Sequence, residues 1–272
     1  MADQPIVRTS RKGPVLEITF DRPPVQAINR PASRALYTAL RELQDEPTLR
    51  CGLLTAPGDR VFSAGWDLKE VASGNYQRHL EEDPQLGSGP GGFAGITSFF
   101  DLDKPVVAAV NGPAIGGGFE LALGCDVLIM AEHAYFALPE MQRGFLADAG
   151  AVQRLPRRIP YNVAMEMLLT GRRMDSAEAK HWGLVHKVVP KEKLMDEARA
   201  MAQEIGKGAP LALQALKAVM RKIEVMPLAE AMKATKAGKS GIPVYERMMA
   251  SEDFMEGPRA YVEKREPVWK GR

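Results

Sequence analysis

Cysteine is scarce in this chain: there are two in 272 residues, Cys51 and Cys125, and neither sits in a CxxC spacing. That excludes a disulfide framework and points to a reducing compartment, the cytoplasm. An excess of one charge is lacking as well. Lys and Arg total 36 against 34 Asp and Glu, a net of +2, so there is no basic field of the kind a phosphate backbone needs, and nucleic acid is not an expected partner. The opening MADQPIVRTSRKG lacks the apolar stretch of a signal peptide and the Arg-rich, acid-poor bias of a transit peptide. Long apolar runs are missing too: the most apolar region, 106–131, is broken by Asn111, Glu120 and Asp126, which excludes a bilayer span and gives no reason to expect a membrane partner. The four histidines, His79, His133, His181 and His186, have no metal-ligand spacing, and no GxSxG occurs. Zinc hydrolysis and an elbow serine are therefore unsupported.

What is present is an ordinary globular composition, 45% hydrophobic and 26% charged, in a length that suits one large domain or one domain with an appendage. Residues 15–20, VLEITF, alternate with period 2 and predict a strand. From Pro31 the spacing of Ala35, Leu36, Ala39, Leu40 and Leu43 is helical, with proline in a tolerated first-turn position. CGLLT at 51–55, KPVVAAV at 104–110 and DVLIMA at 126–131 read as strands of a sheet covered on both faces. Strands and helices alternate, so the class is α/β. After about residue 190 strand signals stop, and Leu213, Leu216, Val219, Met220 and Ile223 recur at helical spacing, punctuated by Pro210, Pro227 and Pro243. The expected organisation is a core over 1–190 and a helical region over 191–272. The polar, Gly-rich insert 72–95 reads as a lid, a binding loop or a poorly ordered segment.

Two tempting motifs fail. Gly87, Gly89 and Gly92 satisfy GxGxxG but follow an acidic stretch rather than a strand, and Gly238-Lys239-Ser240 lacks the earlier P-loop glycine, Lys233 standing there. Two other segments are more informative: VFSAGWDL at 61–68, and NGPAIGGGFELAL at 111–123 followed by ALPE at 137–140. Gly116, Gly117 and Gly118 run directly into an apolar helix, leaving amides at the positive end of its dipole, where a developing anion could be held. Glu120 in that first turn reads equally as a dipole-stabilising acid. Glu140 stands among aromatic and aliphatic residues and reads alternatively as a loop carboxylate. Spacing alone does not bring the two acids together.

The segments FSAGWDLK, DKPVVAAVNGPAIGGGFELAL, FALPE, LTGRRMDSAEAKHWGLVHKVV and YVEKREPVWKGR resemble the enoyl-CoA hydratase/isomerase, or crotonase, superfamily over essentially the whole chain. SAGWDLK, GPGGFAG, SED with EGP, and EKREPVWKGR narrow the resemblance to one dehydratase branch. The resemblance implies a spiral of ββα units with a C-terminal helical trimerisation region, and a homotrimer or dimer of trimers. It implies that Trp66 and Gly117 supply the two backbone N–H groups of an oxyanion hole, a donor of this kind contributing on the order of 3 kcal/mol. Glu120 and Glu140 match the family's catalytic glutamates: in hydration Glu120 activates water for attack on C3 and Glu140 delivers a proton to C2.

The CoA moiety is expected along Ala64, Gly65, Asp67, Leu68 and Lys69, with Tyr261 and Lys264 reaching a neighbouring subunit's ligand. No metal or other cofactor is implied, since CoA enters with the acyl-CoA substrate. Three positions depart from the family pattern: Gln26, Ala147 and Ala151. By the same resemblance Asp148 falls where several relatives are acidic, and it is expected either to shape the acyl site or to add a third titrating group there, not to be catalytic. Enoyl-CoA isomerisation or another crotonase-type lyase reaction is the alternative chemistry, and a non-catalytic RNA-binding or structural homologue is the alternative class.

Overall fold

A computed structural model describes residues 5–73, 89–236 and 238–272. Most of the 72–95 insert, with Gly87 and His79, lies outside the described residues. Eleven strands are formed among them: β1 (Val7–Lys12), β2 (Val15–Phe20), β3 (Ala27–Ile28), β4 (Cys51–Thr55), β5 (Gly65–Trp66), β6 (Val106–Val110), β7 (Ala114–Ile115), β8 (Val127–Ala131), β9 (Tyr135–Ala137), β10 (Arg173–Asp175) and β11 (Lys187–Val189). The large sheet runs β1-β2-β4-β6-β8-β11. All its neighbours are parallel except the β1–β2 hairpin. β4 and β6 are buried along their whole length, as strands covered on both faces must be.

The short strands form a second layer. β3 pairs parallel with β5, Ser63 bridges to Ala114, and β7 pairs parallel with β9, which then pairs antiparallel with β10. The short strands β3, β5, β7 and β9 thus follow the same order as the long strands β2, β4, β6 and β8. Each turn of chain lays one strand in each layer, which is the ββα spiral.

Helices close the turns. The first, Arg30–Asp45, begins at Asn29, whose side chain accepts the Ala32 N–H at 3.0 Å, and buries Ala32, Leu36, Ala39, Leu40 and Leu43. The expected strand boundaries were 104–110 and 126–131; the ladders start two and one residues later, at Val106 and Val127. β11 is the last strand, in line with the loss of strand pattern near residue 190.

The main core nevertheless runs on through Leu194, Ala198 and Ala202 of the Leu194–Gly206 helix, which packs on the large sheet. A second cluster, Leu211, Ala215, Val219, Ile242 and Val244, lies beyond it. Lys217 to Asp126 at 2.8 Å, and Arg221 to Asp103 and to the Leu102 carbonyl, tie this second cluster to the body.

Candidate active site

Ser63 joins three segments. Fully buried, its hydroxyl donates to the Gln26 carbonyl at 2.7 Å and accepts the Gly65 N–H at 3.1 Å, while its carbonyl accepts the Ile115 N–H at 3.0 Å. The 63–66 strand is thereby held directly against the 115–118 turn. The approach is so close that only glycine fits: a Cβ at Gly65 would lie 2.8 Å from the Gly117 nitrogen, and one at Gly118 would lie 2.2 Å from the Ser63 carbonyl oxygen. The Trp66 nitrogen lies 3.4 Å from the Cβ position of Gly117. The two amides expected to form an oxyanion hole are therefore neighbours across this contact.

The Gly117–Leu123 helix is buried on all sides. Gly116 enters it at φ 56, and its carbonyl accepts from Phe119 at 2.8 Å and from Glu120 at 3.0 Å. Glu120, 4% exposed, has its Oε1 held by the Ala151 N–H at 3.0 Å. Burial pushes its carboxyl up to about 7, and the negative charges of Glu140 and Asp148 add to this while the Ala151 N–H and Arg154 oppose it.

Glu140 enters from the short Pro139–Arg143 helix and is 7% exposed. Its Oε1 lies 2.4 Å from where a Gly116 Cβ would be, so a side chain there would displace it. Its Oε2 is buried with no hydrogen-bond partner among the described residues. Burial raises its carboxyl too, and Asp148 adds to the shift. Two acids separated by twenty residues in sequence thus meet beside one glycine turn.

Around them, the Phe93 ring lies over Gly117, and Trp66 and Phe145 meet edge to face at 5.7 Å. A largely apolar cavity of about 250 Å³ opens beside Glu140, walled by Leu138, Ala147, Val152, Met165 and Leu168. Asp67 ion-pairs with Arg22 at 2.7 Å and caps the Leu68–Ala72 helix by accepting the Lys69 N–H at 3.2 Å. Burial works against its charge, but the Arg22 guanidinium and the Lys69 and Glu70 amides outweigh burial and hold the carboxyl below its usual value.

Ala64 donates to the Val25 carbonyl at 3.0 Å, and Leu68 and Lys69 stand exposed at the start of the 68–72 helix. Tyr261 and Lys264 are exposed on the C-terminal Glu252–Glu263 helix and at its cap. Among the described residues no hydrogen bond or ion pair joins either side chain to Glu120 or Glu140. Of the three departures, Gln26 sits at φ 53 with its side chain accepting the Arg22 N–H, Ala147 lines the cavity, and Ala151 offers its amide to Glu120. That amide could not be read from the sequence, because any non-proline residue carries one.

The fold and the site define the class, and the chain belongs to the enoyl-CoA hydratase/isomerase family, whose sequence profile matches residues 10–272. It is 49% identical over 263 residues to carnitinyl-CoA dehydratase of Salmonella paratyphi A and to that of Citrobacter koseri, covering 97% of each chain. Among solved structures it is similar to enoyl-CoA hydratase from Mycobacterium tuberculosis H37Rv, with a TM-score of 0.86 at 33% identity over 99% of this chain and 100% of that one. The enoyl-CoA hydratase of Bacillus anthracis is also similar, with a TM-score of 0.86 at 31% identity over 98% and 100%.

Proposed function

We propose that this chain is a CoA-thioester hydratase/dehydratase that adds or removes water across the C2–C3 bond of an acyl-CoA, with the pair carnitinyl-CoA and crotonobetainyl-CoA as first substrates to test. The observation that carries it is the pair of buried carboxylates, both raised: Glu120 on the helix that opens at Gly117, and Glu140 beside Gly116, at the glycine turn that the Trp66 amide adjoins.

In hydration, ionised Glu120 takes a proton from water as the water oxygen bonds to C3. The C2–C3 π pair moves toward the thioester, and the enolate oxygen receives the Trp66 and Gly117 N–H groups. Glu140 then gives its proton to C2, and dehydration reverses each transfer. Every step moves only protons and water, so no metal or redox cofactor enters the scheme. The apolar cavity beside Glu140 takes the acyl end, and the backbone of 64–65 with Asp67, Leu68 and Lys69 takes the CoA end. Tyr261 and Lys264 act on the ligand of a neighbouring copy in a homotrimer or a pair of trimers. Cytoplasm is the compartment that suits two buried, free cysteines.

Replacing Glu140 by Gln keeps the shape and removes the transferable proton, so hydration is expected to fall by about 10²-fold or more while CoA binding persists. Unchanged turnover would overturn the reading. Product analysis separates the alternative: a 3-hydroxyacyl-CoA supports hydration, whereas a shifted double bond without water uptake means isomerisation. An amide-to-ester replacement at Trp66 removes the N–H and keeps the indole, and it is expected to cost about 2–4 kcal/mol in the chemical step.

A further inference from the structure

Two segments remote in sequence close on the candidate site. The Phe93–Gly95 turn puts the Phe93 ring over Gly117, and the start of the Ala151–Arg158 helix puts the Ala151 N–H on Glu120. The side chain of Arg154 joins them. Its Nη2 donates to the carbonyl of buried Thr97 at 2.7 Å, across 57 residues of chain. Thr97 is tied in turn to Phe93, whose carbonyl accepts the Thr97 hydroxyl at 2.9 Å and the Thr97 N–H at 3.3 Å. At the other prong, Arg154 Nη1 lies where a Gly150 Cβ would be, and Gly150 stands at φ 139. Only glycine suits that position, for space and for conformation. The guanidinium therefore rests against the residue whose peptide offers its N–H to Glu120.

Arg154 is half-buried, and its bond to Thr97 goes to a carbonyl rather than to a carboxylate. Burial and the charge of Arg158 work against its cation, while Glu120, Glu224 and Cys125 favour it. A neutral donor would suffice to bolt the helix to Thr97. A cation there adds a second support for ionised Glu120, beside the Ala151 N–H, against burial and the negative charges of Glu140 and Asp148.

We propose that Arg154 is a positioning residue for the general base: its guanidinium locks the Gly150–Ala151 turn to Thr97 and Phe93, so that the amide holding Glu120 and the ring covering Gly117 are set as one unit. The proposal rests on the hydratase reading above. Arg154 touches no reacting atom and moves no proton.

Arg154→Met keeps the apolar stem and removes both the fork and the charge. Each loss makes Glu120 hold its proton to higher pH, so the acid side of the kcat/KM profile for crotonobetainyl-CoA or crotonyl-CoA is expected to move up by about one pH unit. Turnover at pH 7 is expected to fall about tenfold or more, as a misplaced catalytic group would cause. Arg154→Lys restores a cation without the planar fork and is expected to lie between Arg154→Met and wild type. Reduced activity with an unmoved profile would leave Arg154 a merely structural role and overturn the proposal, as would a lysine variant equal to wild type.

A second readout needs no turnover. The infrared band of the protonated Glu120 carboxyl, assigned by its loss in Glu120→Gln, is followed against pH in wild type and Arg154→Met, or in Arg154→Lys if the methionine variant does not fold. A titration moved to higher pH supports the proposal, and coincident titrations overturn it. A wild type that hydrates neither thioester would fail the hydratase reading instead, and the infrared titration then decides the role of Arg154.

Discussion

Glu120 carries a carboxyl that titrates near neutrality because it is buried beside two other acids. As the base in the hydration we propose it must be ionised, so kcat/KM for hydration is expected to fall as pH drops below about 7, in a profile that belongs to the Glu120–Glu140 pair. A flat profile between pH 5 and 8 would contradict this. The same shift predicts stability. With the folded value above the ordinary 4.5, the native state holds its proton longer than the unfolded chain does, so stability is lost as pH rises from about 4.5 through about 7. Glu120→Gln removes that loss and keeps an oxygen for the Ala151 N–H. Denaturant unfolding should find the variant more stable than wild type at pH 8, by up to roughly 3 kcal/mol, and should find little of that gain at pH 4. An equal difference at both pH values would refute it. The residue types and the resemblance marked both glutamates, but the raised pKa depends on surroundings that no local pattern contains.

Among the elements, the contact between the 63–66 strand and the 115–118 turn governs the site. A Cβ at Gly118 would meet a backbone carbonyl, that of Ser63, at 2.2 Å, whereas one at Gly117 would meet the ring of Phe93 at 2.5 Å. A ring can rotate away and a hydrogen-bonded carbonyl cannot. Gly118→Ala is therefore expected to lose about 1–3 kcal/mol of stability along with activity. Gly117→Ala should lose activity with a smaller change in unfolding midpoint. If the two unfold alike, the Ser63 contact is not the rigid one. The glycine run was visible in the sequence, but the segment it packs against, some fifty residues earlier, was not.

At the scale of the whole molecule, the helices after residue 210 leave Leu216, Met220, Val225, Leu228 and Met232 exposed on the protomer. An apolar surface of this kind calls for a partner, and a second and third copy supply it in the trimer we propose. Sedimentation at micromolar concentration is expected to give a trimer or hexamer for wild type, and a smaller species for a Leu216→Asp/Met220→Asp double variant that still folds. A wild-type monomer would contradict it, and would also remove the neighbouring site to which Tyr261 and Lys264 are assigned.

The sequence by itself determined the four long parallel strands and the first helix, because alternation, apolar runs and three-to-four spacing are local properties of the chain. Its motifs also placed the chain in its family and singled out Glu120, Glu140, Trp66 and Gly117. Only the tertiary structure decided the rest. The two- and three-residue strands β3, β5, β7 and β9 are too short to show a period, and the exposed β1, VRTSRK, buries no face that would impose one. The Ala151 amide on Glu120, the close passage of Ser63 and Gly118, and the placing of the Glu140 carboxyl beside Gly116 are distances between segments remote in sequence. Residue order records which side chains the chain owns, but packing fixes which of them share a low-dielectric space, and it is that sharing that sets their chemistry.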